Sequence, residues 1–311
     1  MTLLQIIPEN QADTPKSAGR RPVKDRLTPY AFLSPTVLLM LVLMLVPIVM
    51  VIVYSLQDNV IMRKNSSFIG LGNFVEVLTD KTFRTALVNT TIFTVASVIA
   101  HLLLGLAFAL LLNSPLLGNR TKALFRVIYF LPWLFTVAVI AILWRLMLNP
   151  NGIVNFLLEK VGIIDSGVEW LSSPKTALIA VIFINVWAGY PFYMVSLLAG
   201  LQGIPKDLYK AARVDGASNF AQFRNVTLPQ LKPIIISMAM LDVIWTTQQF
   251  ALIWMTTGGG PIDKTEMLST YTYKLAFSEY QFSLASASAV VIFVGSMILA
   301  FLYVRHQKAR D

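Results

Sequence analysis

The chain has 311 residues, 56% of them hydrophobic and 13% charged, with a formal net charge of +9 and no cysteine. A soluble domain carries about 25% charged residues, so an ordinary soluble fold is excluded, and the lack of cysteine excludes disulfides, thiolate chemistry and cysteine-held metals. The two histidines, His101 and His306, are too few for a histidine metal site, and no P-loop glycine–lysine pattern occurs.

Residues 1–28 contain Glu9 and Asp13 beside Pro8, Pro15, Gly19 and Pro22. This is the composition of a disordered cytoplasmic tail and not of a signal peptide. Beyond it lie long stretches free of Asp, Glu, Lys and Arg: between Arg26 and Asp58, Arg84 and Arg120, Arg126 and Arg145, Lys175 and Lys206, and Glu279 and Arg305. A sixth, between Lys232 and Asp263, is interrupted only by Asp242. A helix needs about 20 mainly apolar residues to cross a bilayer. Six spans are therefore expected, at 31–56, 86–112, 124–148, 176–201, 233–256 and 282–304. The runs are too long and too evenly apolar for barrel strands. The fold class is thus an all-α integral membrane protein, with one six-helix domain over 29–305 and a short tail at 306–311.

The first outer loop, 57–85, holds Phe68-Ile69-Gly70-Leu71-Gly72-Asn73-Phe74 and runs into Phe83–Thr90. It reads as a turn followed by a short amphipathic helix lying on the membrane. In the second span, His101 reads as a satisfied packing residue, with a place in a proton relay as the other reading. In the third, Arg145 near the outer end is expected to snorkel. Trp133, Trp144, Trp170 and Trp187 are expected at the interface or in packing.

The fourth span carries Asn185, Gly189, Tyr190, Phe192 and Tyr193 around Pro191. Glycine and proline in mid-helix predict a kink that opens a cavity; ordinary packing at a kink is the other reading. In the fifth span, Asp242, Trp245, Thr246 and Gln249 recur at helical spacing and share a stripe. A carboxylate, an indole, a hydroxyl and an amide suit a sugar, by hydrogen bonds to hydroxyls and stacking on ring C–H groups. The competing reading is interhelical glue. An ionised Asp242 also favours neutral or cationic ligands beside it. Thr257-Gly258-Gly259-Gly260-Pro261 is a hard stop for this helix.

Between the fourth and fifth spans lies a polar loop, 202–232. Pro205 suits a first helical position, Asp207 the first turn, and Gly216 a left-handed helix end. Ser218 is a candidate N-cap for a second short helix bearing Phe220 and Phe223, which Leu228-Pro229 and Pro233 then stop. Two helices hinged at Gly216 result, fit for a partner surface or for lipid headgroups.

Six spans put both termini on one side. That side holds 16 Lys and Arg, against 8 on the other with nine acids. The positive-inside rule places the termini and the 202–232 loop in the cytoplasm. The basic balance is thus topology, and a nucleic-acid role is excluded for want of a soluble basic domain. A membrane enzyme is disfavoured, because the spans hold no clustered histidines or paired carboxylates. An ion-coupled secondary transporter remains the alternative to a subunit of a driven importer, with Asp242 as its one candidate ion site.

The spacing of Ala211-Ala212, Gly216 and Val226-x-Leu228-Pro229 resembles the "EAA" loop of ABC importer permeases. Phe68–Phe74, Asn89-Thr90, Leu131-Pro132, Leu201-Gln202-x-Ile204-Pro205 and Thr257–Pro261 extend the resemblance over about residues 30–305. It is to the carbohydrate-type family that includes the membrane subunits of the maltose and glycerol-3-phosphate importers. The resemblance implies a type I importer permease fold in a bacterial inner membrane, without a catalytic site of its own. It implies a second permease subunit, an ATPase dimer carrying ATP and Mg, an extracytoplasmic solute-binding protein and a sugar-like cargo. It also implies ATPase coupling through Tyr209, Lys210, Ala211, Ala212, Asp215, Gly216, Leu228 and Pro229, and sugar contacts on the fourth and fifth spans. Lys210 departs from the family's usual glutamate and reverses a charge.

Overall fold

The computed structural model describes residues 23–62 and 66–308. Most of the expected tail, residues 1–22, lies outside the described residues, as do Arg63, Lys64 and the end of the 306–311 tail. The chain divides into two compact units, residues 1–50 and 51–311. Among the described residues every regular element is a helix, and extended pairing is limited to a bridge between Gln57 and Phe68.

In the first unit, helix α1 (Val23–Ser55) begins well before the expected span. Its large apolar side chains are exposed on all sides, Phe32, Leu38, Leu43 and Met44 among them. A helix apolar all round belongs in lipid.

After α1, the second unit continues with α2 (Gly72–Thr79). Buried Asn73 holds it by donating from Nδ2 to Ser55 O and Gln57 O, both at 2.9 Å. Asp80 then caps α3 (Lys81–Asn113), its carboxylate accepting from Phe83 N at 2.7 Å. The short outer helix is therefore 72–79. Phe83–Thr90, expected on the membrane surface, is the first part of the spanning helix, because Asp80 starts it there.

α3 packs along α7 (Ala177–Gly203). The approach is close at Gly105, where a Cβ would fall 2.3 Å from Tyr193 Cβ. Small residues permit such contact between helices in lipid, where apolar packing alone gives little drive. Tyr193, Met194 and Leu197 of α7 meet Ala109 and Leu112 of α3 and Leu231 and Met238 of α10 in the main core. α7 runs on through Pro191, which forfeits one backbone bond without ending the helix.

The third expected span is broken. α4 (Asn119–Phe130) passes through a 3₁₀ turn at Leu131–Leu134 and meets α5 (Val137–Met147) at a bend of 101°. Pro132 lacks an N–H for the ladder, and Thr136 restarts the helix by accepting from Val139 N at 3.4 Å. Five helices are long and apolar enough to cross a membrane, or six if this bent pair counts as one span. α6 (Ile153–Lys160) follows in the outer loop. Arg145, exposed near the end of α5, donates to Met255 O at 3.3 Å.

Between the fourth and fifth spans, α8 (Lys206–Val214) and α9 (Asn219–Gln222) flank Gly216. α9 continues through a π turn at Phe223–Thr227 into α10 (Leu228–Thr247). The expected stop at Leu228-Pro229 and Pro233 does not occur. Pro229 sits in the first turn of α10, and the wider π turn absorbs its missing bond. α10 ends at Gln248, and α11 (Ala251–Thr256) completes the fifth span before the glycine run.

α12 (Leu268–Phe277) and α13 (Phe282–Lys308) close the unit. Asn89 and Thr90 secure the outer end: Asn89 Nδ2 donates to Asp263 O at 2.9 Å, and Thr90 Oγ1 accepts from Leu268 N at 3.0 Å. Fully buried Glu266 pairs with Lys274. Gly259 makes room for that carboxylate, since a Cβ would sit 1.9 Å from Glu266 Oε2.

Candidate functional site

The residues singled out fall into two places, one inside the helix bundle and one on the surface around α8 and α9. In the bundle, Asp242 is buried and fully bonded. Its Oδ2 lies 2.9 Å from His101 Nδ1, and its Oδ1 accepts from Thr246 Oγ1 at 2.9 Å. The other ring nitrogen, His101 Nε2, lies 3.0 Å from Asn185 O. A backbone carbonyl only accepts, so Nε2 donates there. The Nδ1–Oδ2 contact then needs a second proton, on the ring or on the carboxyl group.

Three helices thus meet at His101: α3 through the ring, α7 through Asn185, and α10 through Asp242. Gly189 is required by this junction, because a Cβ would fall 2.3 Å from His101 Nε2. Tyr193 lies beside the ring, with centroids 6.0 Å apart. Asn185 Nδ2 is buried without a hydrogen-bond partner among the described residues.

The stripe expected on the fifth span is divided. Asp242 and Thr246 face the packing, whereas Trp245 is 56% exposed. Trp245 stacks obliquely with Phe192 at 5.7 Å, and Phe192 meets Trp133 at 5.9 Å. Gln249 is half-buried beyond the end of α10, and Gln248 is exposed next to it. Phe192 and Trp245 therefore join a surface band with Trp133, while Asn185, Gly189 and Tyr193 sit with the buried pair. Sequence reasoning missed His101 as the partner of Asp242. The signal was present, since each is the lone ionisable residue inside its span, and such groups pair with one another.

On that surface, Gly216 adopts φ +76°, the left-handed region, and nothing lies within 4 Å of a Cβ built there. Ser218 caps α9 by accepting from Ala221 N at 3.3 Å. α8 has no buried residue. Ala211, Lys210, Asp215, Gly216, Leu228 and Pro229 are exposed, and Val214 is 87% exposed. The segment is nevertheless tied down. Tyr209 packs on the main core and its hydroxyl lies 2.9 Å from Thr227 Oγ1. Gln222 Nε2 donates to Ala217 O at 2.9 Å across the turn. Lys210 pairs with Asp207 at 2.8 Å on the exposed side, a contact of small energetic weight. The outcome is an open small-residue face, fixed to the end of α7 and the start of α10.

Comparison with known proteins sets these features beside those of other chains. The model for binding-protein-dependent transport system inner membrane components matches residues 101–310. The chain is 36% identical to the trehalose/maltose transport system permease protein MalF of Thermococcus litoralis, over 88% of this chain and 91% of that one. It is 35% identical to the lactose transport system permease protein LacF of Rhizobium radiobacter, over 88% and 91%. In fold it is similar to a chain of a bacterial alginate ABC transporter solved with an alginate pentasaccharide-bound periplasmic protein. That match has a TM-score of 0.79 at 23% identity, over 90% of this chain and 94% of the other.

Proposed function

The chain belongs to the family of binding-protein-dependent transport system inner membrane components, as a sugar ABC importer permease of the multi-pass inner membrane, and from that premise we propose that it forms half of a translocation pathway worked through the 204–229 segment. Both termini and this segment face the cytoplasm. A second permease subunit completes the pathway, an ATPase dimer carries ATP and Mg, and an extracytoplasmic binding protein delivers the sugar or sugar derivative. This chain supplies no catalytic group. Its parts are a six-span domain over 29–305 and short cytoplasmic tails.

The observation that carries the proposal is the exposed face of α8 and Gly216, anchored through Tyr209–Thr227 to the two spans it joins. A rigid lever between α7 and α10 passes motion of a docked ATPase into the bundle. Ala211 and Ala212 let a partner approach closely, and Asp215, Lys210, Leu228 and Pro229 border the contact. The band of Trp133, Phe192 and Trp245, with Gln248 and Gln249 beside it, offers stacking faces and amides to a sugar. The relatives named for trehalose, maltose and lactose support that cargo class.

The test is uptake by the assembled transporter in proteoliposomes. Gly216→Val forces a β-branched residue into left-handed backbone, a strain of about 1–3 kcal/mol. Uptake is expected to collapse while the subunit still inserts and assembles; undiminished uptake would remove the coupling role. The alternative, an ion-coupled carrier, is favoured only by the buried His101–Asp242 pair. It requires uptake that an uncoupler abolishes and ATP does not restore.

A further inference from the structure

A cavity of about 940 Å³ opens on the inner side between α8, the end of α3 and the start of α4. Its lining carries Lys122, Lys206, Lys210 and Arg213, and no Asp or Glu among the described residues. The salt link to Asp207 offsets only Lys210. The side-chain amides of Asn113 and Gln222 add donors, while Leu110 and Leu201, near the ends of two spans, make an apolar floor. Cations from separate elements that converge without a counter-charge repel one another. An anion between them relieves that repulsion and collects charge-assisted hydrogen bonds.

We propose that this cavity binds a phosphate-bearing anion, either a phospholipid headgroup or free phosphate, between the coupling segment and the inner ends of the spans. Phosphate offers several strong acceptors to donors arriving from different directions. The apolar floor and the setting at the ends of α3 and α7 suit a headgroup whose acyl chains run down beside the bundle. Basic pockets between spans on the cytoplasmic side have this character. α4 supports the location: Leu124, Val127 and Ile128 are exposed and alternate with Arg120, Lys122 and Arg126, as in a helix lying at the membrane interface. Lys210 acquires a purpose here. The glutamate usual at that position would put an acid into the lining, and lysine keeps the lining free of one.

The test uses the complete transporter in nanodiscs of phosphatidylcholine, with or without added phosphatidylglycerol. Native mass spectrometry counts the retained phosphatidylglycerol, and phosphorus NMR follows inorganic phosphate titrated into the phosphatidylcholine discs. Wild type is expected to retain one of the two anions. Lys122→Gln is expected to weaken that binding about fivefold, and Lys122→Gln with Lys206→Gln and Arg213→Gln further, about fivefold per charge. Retained phosphatidylglycerol identifies the headgroup as the source, and saturable inorganic phosphate identifies the free ion. Lys122→Arg preserves the charge and is expected to preserve binding. The proposal is overturned if neither anion binds above the phosphatidylcholine background. It is equally overturned if Lys122→Gln binds as wild type does, or if binding appears only once the ATPase subunits are removed, because a partner protein then fills the cavity.

Discussion

At Asp242 the geometry decides between two roles that its position in a span leaves open. Both carboxylate oxygens are engaged by His101 and Thr246, so the group acts first as a fastener between α3 and α10. Removing one member of a buried pair strands the other, at a cost of about 3–5 kcal/mol. Asp242→Ala and His101→Ala are each expected to lower the thermal stability of the detergent-solubilised subunit by that order. Asp242→Asn is expected to lose far less, since its amide still donates to a neutral His101 whose Nε2 serves Asn185 O. A melting temperature for Asp242→Ala equal to wild type would show that the pair does not hold the helices. Trp245 is the opposite case, exposed and stacked on Phe192. Trp245→Ala is expected to leave the melt unchanged and to raise the KM for uptake about 3- to 10-fold, the worth of one aromatic contact. An unchanged KM would take Trp245 out of the sugar path. The helical spacing of these residues was legible in the sequence, but the side each one faces was not. Spacing puts Asp242 and Trp245 on one broad stripe, and only the packing of α3 against α7 and α10 shows where the bundle ends and the surface begins.

Among the elements, those marked by strong local chemistry were legible. The long charge-free runs became α1, α3, α7 and α13, and Gly216 and Ser218 shaped the inner segment as their conformational preferences require. Misplaced elements trace to prolines and a cap. The third span parts into two pieces at a 101° bend, where extended Phe135 lies between the 3₁₀ turn that holds Pro132 and the Thr136 cap, whereas Pro191 and Pro229 are absorbed within helices. Proline withdraws one donor in every case, and the helix bends or continues according to whether neighbouring turns can rearrange around the freed carbonyl. Asp80 moved the outer helix boundary, because an N-cap outweighs the weak amphipathic pattern after it. The inner segment is built as one lever: α8 is fastened by Tyr209 to Thr227, and α9 runs without a stop into α10.

Across the whole molecule, transport requires that an event on the inner surface reach the bundle. The helices that flank the α8–α9 segment, α7 and α10, also carry Asn185 and Asp242, which converge on His101. Under the proposed coupling role, displacement of α8 would load the junction at His101 that ties α3, α7 and α10 together. In the proposed function, the α8–Gly216 face docks on the ATPase. The chain contains no cysteine, so Val214→Cys introduces a single thiol at a position 87% exposed. Its rate of maleimide labelling, compared between the subunit alone and the active complex, is the most direct measurement. Fast labelling of the free subunit with strong protection in the complex is the result expected. Equal labelling in both, with uptake intact, would contradict it.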